Sequence, residues 1–223
     1  MHRNFASSGD STDPTCPLCQ TSEGRHFYRD SREYYRCPVC YLVFVPPSQF
    51  LSAEEEKAVY DDHQNSADDP RYRRFLDRLF TPMTGCLAPN SSGLDFGSGP
   101  GPTLSVMFEE AGHRMEIYDP FYASDIKPLQ RQYDFITASE VVEHLHFPRR
   151  ELERLWSCLK PGGWFGIMTK RVIDREAFSK WHYKDDLTHV CFTSIETFRW
   201  LAAHWQATMT VPASDVILYK KTA

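Results

Sequence analysis

The chain has 223 residues, a length that suits one α/β domain with a small appendage. Hydrophobic residues make up 41% and charged residues 25%, which is typical of a globular rather than a disordered protein. The formal net charge of −5 argues against non-specific nucleic-acid binding, although a local basic patch remains possible. No stretch approaches the roughly 20 apolar residues of a membrane span, and no secretory signal is visible, so a soluble, cytoplasmic protein is expected.

Four of the seven cysteines fall in residues 14–45, after a Ser/Asp-rich stretch over residues 1–13 that is expected to be a mobile tail. They form two C-x-x-C pairs, Cys16 with Cys19 and Cys37 with Cys40, with 17 residues between the pairs. Four thiolates at this spacing can surround a zinc ion tetrahedrally, and they leave no open coordination position. The sequence therefore predicts a structural zinc-ribbon-like module, folded with the help of the metal.

Four arginines lie between the two cysteine pairs and could bind phosphate groups. Acidic residues in the same stretch balance their charge, so the sequence favours a solvated surface over a nucleic-acid contact. The arginines are Arg25, Arg29, Arg32 and Arg36, and the acidic residues are Glu23, Asp30 and Glu33.

Residues 46–90 are predicted to form a helical linker between this module and the rest of the chain. Ser52 followed by Glu55 is a capping box that begins one helix. A second helix is expected from about Pro70 to Thr81, because apolar residues recur there at helical spacing.

Strands and helices alternate over residues 91–223, which predicts an α/β fold with a Rossmann-like doubly wound sheet and a largely parallel centre. The predicted strands are LDF, MEIYDP, YDFITAS and WFGIMT, with ATMTV and VILYK as a closing pair. The predicted helices are TLSVMFEEAG, RRELERLWSCLK and SIETFRWLAAHW.

A glycine loop, from Gly97 to Gly101, lies between the first of these strands and its helix. Glycines let the backbone approach a ligand closely, and Asp119, at the end of the next strand, could accept both hydroxyls of a ribose. The pattern predicts a nucleoside site. It differs from the NAD fingerprint G-x-G-x-x-G/A, because the third glycine comes one place early and Pro102 follows it.

The G-x-G-x-G loop with Asp95 just before it resembles motif I of class I S-adenosylmethionine-dependent methyltransferases. YDFITASEVVEHL resembles the fourth strand and following helix of that family, and LKPGGWFGIMT its fifth strand, so the resemblance covers about residues 90–205. It implies S-adenosylmethionine as cofactor, with Asp95 facing its amino-acid end. The implied cofactor-binding residues are Asp95, Gly97, Ser98, Gly99, Gly101, Asp119, Pro120, Ser139 and Glu140.

The chain between Asp119 and Asp134 is short for this family, leaving little room for the usual third strand and its adenine-contacting loop. The residues that hold the adenine are therefore not identified by the resemblance.

After the strand ITAS, positions 140, 143 and 144 would share one face of a predicted helix. This E-x-x-E-H pattern resembles the magnesium site of polyprenyl-quinone O-methyltransferases and of small-RNA 2′-O-methyltransferases. That resemblance implies a possible magnesium site at Glu140, Glu143, His144 and His189. Many methyltransferases carry a similar stretch without a metal, so both interpretations are kept.

Residues 181–189 form a second polar strip, expected above the acceptor because it follows a central strand. A histidine titrates near neutral pH and can act as a general base. The catalytic candidates are His144 and His189, with Glu143 and His182 after them.

The sequence thus predicts in-line methyl transfer to oxygen, nitrogen or carbon of a small-molecule acceptor. Two alternatives remain: an RNA methyltransferase whose zinc module grips RNA, and a non-catalytic cofactor-binding protein. The intact glycine loop argues against the second. The acceptor and the oligomeric state do not follow from the sequence.

Overall fold

The cysteine-bearing part of the chain folds into short antiparallel strands. The computed structural model describes residues 14–62 and 66–222, so the tail predicted over residues 1–13 lies outside the described residues. The strands are β1 (Arg25–Arg29), β2 (Glu33–Arg36) and β3 (Val43–Phe44). β2 lies in the middle and pairs with both neighbours.

Two helices follow, as the sequence predicts. α1 (Ala53–Asp61) begins with the expected capping box, in which the Glu55 carboxylate accepts the Ser52 N–H at 2.8 Å. α2 (Pro70–Thr84) continues three residues beyond the predicted end and passes through Pro82. Its last turn packs closely on the sheet, where the buried Met83 lies against Gly166. A Cβ added to Gly166 would lie only 2.5 Å from the Met83 side chain.

The second half of the chain builds a six-stranded sheet. In chain order its elements, with the intervening helices and one strand of the smaller sheet, are β4 (Ser92–Phe96), α3 (Thr103–Glu110), β5 (Arg114–Tyr118), β6 (Tyr133–Ser139), α4 (Pro148–Ser157), β7 (Leu159–Met168), α5 (Arg175–Ser179), β8 (Cys191–Phe192), α6 (Ile195–Trp205), β9 (Thr208–Ala213) and β10 (Val216–Lys220). The strand order is β5-β4-β6-β7-β10-β9. β5, β4, β6 and β7 are parallel to one another, and β10 is antiparallel to both of its neighbours, β7 and β9. This sheet confirms the predicted Rossmann-like α/β fold.

Two connections in this sheet test the sequence prediction: the one between β5 and β6, and the one that follows β6. No strand lies between β5 and β6 in this fully described stretch, which contains a 3-10 turn at Lys127–Gln130, as the short spacing suggested. The prediction of a helix directly after β6 is wrong. The chain forms one 3-10 turn at Val142–His144, because Glu140 adopts a left-handed backbone with φ 53° and redirects the chain.

The small sheet takes its fourth strand from far along the chain, where β8 pairs with β3. Around this junction the buried Phe178 of α5 makes edge-to-face contacts with Phe27, Tyr34 and Phe192, at centroid distances of 5.0–5.4 Å. The division into a zinc module (14–45), a helical linker (46–90) and a methyltransferase domain (91–223) stays a prediction, since this sheet crosses it. No helix within residues 14–62 and 66–222 is long and apolar enough to span a membrane.

Candidate active site

The glycine loop leaves the carboxyl end of β4 with two residues in the left-handed region, Gly97 at φ 76° and Gly99 at φ 62°. A Cβ on Gly97 would lie 2.4 Å from the Val141 side chain, so that position needs glycine for space as well as for backbone conformation. A Cβ on Gly99 would meet nothing within 4 Å. The loop is therefore tightly packed on one side and open on the other.

Asp119 ties the glycine loop to the chain that follows β5. Its carboxylate accepts the backbone N–H of Gly99 at 2.9 Å, of Phe121 at 2.8 Å and of Tyr122 at 3.1 Å. A carboxylate offers about four lone-pair positions, so about one stays available to a ligand hydroxyl. Asp119 consequently shapes the loop as well as facing the ligand.

Asp95 lies beneath the loop rather than in contact with open space. It is buried and accepts hydrogen bonds from Thr137 Oγ1 at 2.9 Å and Ser105 Oγ at 3.2 Å. Burial outweighs these hydrogen bonds and raises the pKa of Asp95 to about 6. Its carboxylate thus links β4 to β6 and to α3.

One cavity of about 720 Å³ unites most of the predicted site residues. Along one side runs the glycine-loop wall, formed by Gly97, Ser98, Gly99 and Asp119. Along the other runs the histidine wall, formed by Glu140, His144, Asp186 and His189. Pro120 and Ser139 also line the cavity.

Four predicted site residues do not line this cavity. Asp95 and Glu143 are buried behind its walls, and Gly101 lies farther along the glycine loop. His182 is on the exposed surface, where its Nε2 lies 3.4 Å from Lys170 Nζ.

Two carboxylates share the hydroxyl of Tyr183 behind the histidine wall. Glu143 accepts a very short hydrogen bond from it and another from Thr169 Oγ1 at 3.0 Å, and Glu140 Oε2 lies 3.3 Å from the same hydroxyl. Burial, and then the nearby charge of Glu140, raise the pKa of Glu143 to about 8, and burial raises that of Glu140 to about 6. Burial and the neighbouring carboxylate therefore favour the protonated form of Glu143.

The two wall histidines are in contact, with ring centroids 4.6 Å apart. His189 Nδ1 lies 2.6 Å from the carbonyl oxygen of Tyr183, a contact that needs Nδ1 protonated and leaves the lone pair on Nε2. Burial lowers the pKa of His189. His144 Nδ1 lies 3.1 Å from the Tyr60 hydroxyl and 3.3 Å from the carbonyl oxygen of Thr188.

Three of the four predicted magnesium ligands come together. Glu143, His144 and His189 each offer a ligand atom, and these atoms lie within 4.8 Å of one another, whereas Glu140 is not part of this group. Magnesium prefers oxygen ligands and octahedral geometry, and a set of two imidazoles and one carboxylate does not match that preference. The donor set therefore does not fit magnesium.

Aromatic residues from the two linker helices line part of the cavity, and sequence reasoning missed them. Tyr60 of α1 and Tyr72 and Phe75 of α2 all contribute to its lining. Their helical spacing was visible in the sequence, but the same spacing is expected of residues that only pack against a core. Arg150 and Arg154 of α4 also reach the cavity, and no sequence signal distinguished them.

The four cysteines of the N-terminal pairs form one cluster. All four sulfur atoms lie within 4.8 Å of one another, with Cys16 to Cys40 at 3.5 Å and Cys19 to Cys37 at 3.3 Å. A tetrahedral zinc site with bonds of about 2.3 Å needs sulfur atoms roughly 3.8 Å apart, so the cluster fits this metal. The backbone N–H groups of Val39 and Cys40 point at Cys37 Sγ, which would stabilise a thiolate there.

The interpretation of the four arginines as a solvated surface is wrong for Arg32. Its side chain is 5% exposed and its guanidinium contacts residues 184–189, far along the chain. Arg25 and Arg29 are exposed, as expected. No sequence signal separates Arg32 from its neighbours, because its partners are backbone carbonyls.

A family model described as a methyltransferase domain matches residues 63–210. No curated protein matches the sequence.

Several solved structures resemble the fold. One is an O-methyltransferase family protein from Burkholderia thailandensis, with a TM-score of 0.51, 14% identity, and coverage of 75% of this chain and 63% of that one. Another is the 1,6-didemethyltoxoflavin-N1-methyltransferase of the same organism, with a TM-score of 0.48, 18% identity, and coverage of 89% and 99%. A third is a possible histamine N-methyltransferase from Thermotoga maritima, with a TM-score of 0.40, 14% identity, and coverage of 68% and 95%.

The family model covers well over half of the chain and includes both walls of the cavity. The six-stranded sheet, the glycine loop after its first strand and Asp119 after its second agree with that match. The chain belongs to the methyltransferase-domain family.

Proposed function

We propose that the protein transfers the methyl group of S-adenosylmethionine to a small-molecule acceptor, on oxygen, nitrogen or carbon. The observation that carries this proposal is the single cavity that has the glycine-loop wall on one side and the histidine wall on the other. Its volume of about 720 Å³ is within the range of small-molecule sites, about 300–1,000 Å³. The negative net charge favours such an acceptor over RNA.

The residues of the glycine-loop wall suit a nucleoside with an amino-acid tail. Gly99 leaves open space where any other residue would have a side chain, so a ligand can lie directly on the backbone. Ser98 Oγ on this wall and Glu140 Oε1 on the histidine wall are buried without a hydrogen-bond partner, and both residues line the cavity. A ligand hydroxyl or ammonium group would satisfy them.

The cofactor supplies an already activated methyl group, and the chain has to place the acceptor in line with it and exclude water. The Tyr60, Tyr72 and Phe75 side chains line part of the cavity and give it an apolar surface from which water is more easily displaced. His189 presents the lone pair of Nε2, because its Nδ1–H is donated to the Tyr183 carbonyl. We propose that His189 Nε2 accepts the acceptor's proton, with His144 beside it orienting the acceptor.

We further propose that the four-cysteine cluster binds zinc, which stabilises the small sheet. Cys37→Ser removes one thiolate and should lower the zinc content from about one per chain to almost none. Cys86→Ser is the matched control, because Cys86 is outside the cluster and its thiol donates a hydrogen bond to the carbonyl of Pro82. Equal zinc content in the two variants, measured by mass spectrometry of the purified protein, would exclude this site.

The direct test of the function is calorimetric titration of the full chain with S-adenosylmethionine and, separately, with NADH. Binding of the first and not the second is expected, and it would justify a screen of small acceptors by release of S-adenosylhomocysteine. Binding of NADH alone would contradict both the cofactor assignment and the roles given to the two walls.

A further inference from the structure

The guanidinium of Arg32 lies under the histidine segment, residues 183–189, which carries Asp186 and His189 of the histidine wall. Arg32 follows the turn between β1 and β2 in the small sheet. It is thus part of the cysteine-bearing module, whereas the segment it contacts belongs to the methyltransferase domain, 155 residues away at Leu187.

Every N–H group of this guanidinium has an acceptor. Nη1 donates to the carbonyl oxygens of Leu187 and His189, both at 3.0 Å. Nη2 donates to those of Lys184 at 2.6 Å and Asp186 at 3.1 Å, and Nε donates to the Tyr34 hydroxyl at 3.3 Å. A guanidinium has five N–H donors in one plane, and all five are used.

These contacts fix the path of the histidine segment. Four carbonyl oxygens of one short segment point toward a common centre, an arrangement that their dipoles oppose unless a cation lies there. The Arg32 side chain and His189 are buried, so losing the cation would leave the His189 carbonyl oxygen buried without this donor, and the Leu187 carbonyl would lose its donor as well. The carbonyl oxygens of Lys184 and Asp186 would keep the Tyr34 hydroxyl and the His189 N–H. The planar fork of arginine fits this role, and the single ammonium group of lysine does not.

The same module holds the segment at a second point. Lys184 is buried, and its Nζ lies 2.5 Å from Asp30 Oδ2 in the turn before Arg32. The Tyr34 hydroxyl donates to the Lys184 carbonyl at 3.2 Å. The start of the histidine segment is therefore anchored by side chains from three positions of the small sheet.

Both wall histidines depend on this segment. The His189 imidazole is oriented by the Tyr183 carbonyl, and His144 Nδ1 lies 3.3 Å from the Thr188 carbonyl. Moving the segment would therefore move the acceptor side of the cavity and leave the glycine-loop wall in place.

We propose that Arg32 is a positioning residue for methyl transfer, through which the cysteine-bearing module holds His189 and Asp186 in place at the acceptor end of the cavity. This inference rests on the proposed function for its catalytic meaning. It assigns the N-terminal module a part in the reaction site rather than in binding a macromolecule.

The test uses the full chain with Arg32→Met, Arg32→Lys and, as control, Arg29→Met, which alters a side chain of the same hairpin that is 72% exposed. The nitrogen NMR signals of His189, assigned by their loss in His189→Gln, report its protonated nitrogen. Titration with S-adenosylhomocysteine reports the glycine-loop wall.

In Arg32→Met the Nδ1–H signal of His189 should disappear or divide between tautomers, with a smaller change in Arg32→Lys and none in Arg29→Met. Affinity for S-adenosylhomocysteine should stay within about threefold of the parent. An unchanged His189 signal in Arg32→Met overturns the proposal. If that variant does not fold, an unchanged signal in Arg32→Lys overturns it equally.

The two proposals fail in different ways. Absence of S-adenosylhomocysteine binding by the parent protein contradicts the proposed function, whatever the histidine signals show. Binding by the parent together with an insensitive His189 contradicts only the role of Arg32. Once an acceptor is known, Arg32→Lys should lower kcat more than it raises KM, because the residue acts on the orientation of the acceptor side.

Discussion

The two walls of the cavity are built in different ways. The glycine-loop wall is local: Gly99 and Asp119, which join it together, are 20 residues apart, and both follow parallel strands of one sheet. The histidine wall is assembled from distant segments, since His144 contacts Thr188, and Arg32, which supports it, is 157 residues from His189. The comparison teaches that one wall depends on a short stretch of chain and the other on distant segments; under the proposed function, these are the cofactor side and the acceptor side.

Asp119→Ala should have the largest effect, on the glycine-loop wall. It removes the acceptor for three backbone N–H groups and the one remaining lone pair for a ligand hydroxyl. We expect affinity for S-adenosylhomocysteine to fall by about 100-fold or more in calorimetry. Asp125→Ala is the control, because its exposed carboxylate pairs with Lys127 and does not line the cavity. Retained binding in Asp119→Ala would show that the ribose lies elsewhere.

The two positive-φ glycines provide a matched pair for the same wall. Gly97→Ala should cost about 3 kcal/mol of unfolding free energy, since it adds a backbone cost to a clash with Val141. Gly99→Ala should cost about 1 kcal/mol, because only the backbone term applies, yet it should weaken ligand binding by filling open space. Urea denaturation and calorimetry of both variants separate the effects. Equal destabilisation would mean that the loop is not packed on one side.

Asp95 should make stability depend on pH. Its folded-state pKa of about 6 lies above its unfolded value, so its contribution to stability is full below about pH 4 and is lost as the pH rises through 6. Asp95→Asn should remove that loss, about 3 kcal/mol in all, so the variant gains on the parent as the pH rises from about 4 to 7. Denaturation curves at several pH values measure the difference. A constant difference across this range would contradict the burial effect.

His182→Ala should have the smallest effect, although the sequence made His182 a catalytic candidate. Its imidazole is exposed and outside the cavity, so unfolding free energy should change by less than about 0.5 kcal/mol. His189→Ala, its buried counterpart, should lose about 2 kcal/mol by leaving the Tyr183 carbonyl without a donor. Similar losses in both variants would remove the distinction between the histidine wall and the surface beside it.

The glycine-loop wall could be predicted from sequence, because each of its residues either comes directly after a strand or belongs to the glycine pattern. The glycine pattern and the strand ends predict Gly97, Gly99 and Asp119, and the parallel order of the strands brings these residues together. Zinc-type spacing likewise predicted that four thiols would meet. The residues of the glycine-loop wall and of the cysteine cluster are close together in the sequence. At such short separations, the spacing along the chain largely determines the geometry.

The rest depended on information that a sequence pattern does not carry. Arg32 has the same local context as three neighbouring arginines, and its partners are backbone carbonyls without side-chain identity. The left-handed backbone of Glu140 replaced an expected helix by a single turn. Tyr60, Tyr72 and Phe75 had the spacing of ordinary core residues and were found at the cavity only through the packing of α1 and α2.

The pairing of β3 with β8 has a consequence for the order of events during synthesis. The first three strands of the small sheet leave the ribosome early, but their last partner emerges only after β7 and α5 have been made. At about 5–20 residues per second, the N-terminal strands wait for roughly 10–30 s with an open edge. During that wait β3 is an unpaired strand edge, and early metal capture by the cysteines would be its main protection against pairing with another chain.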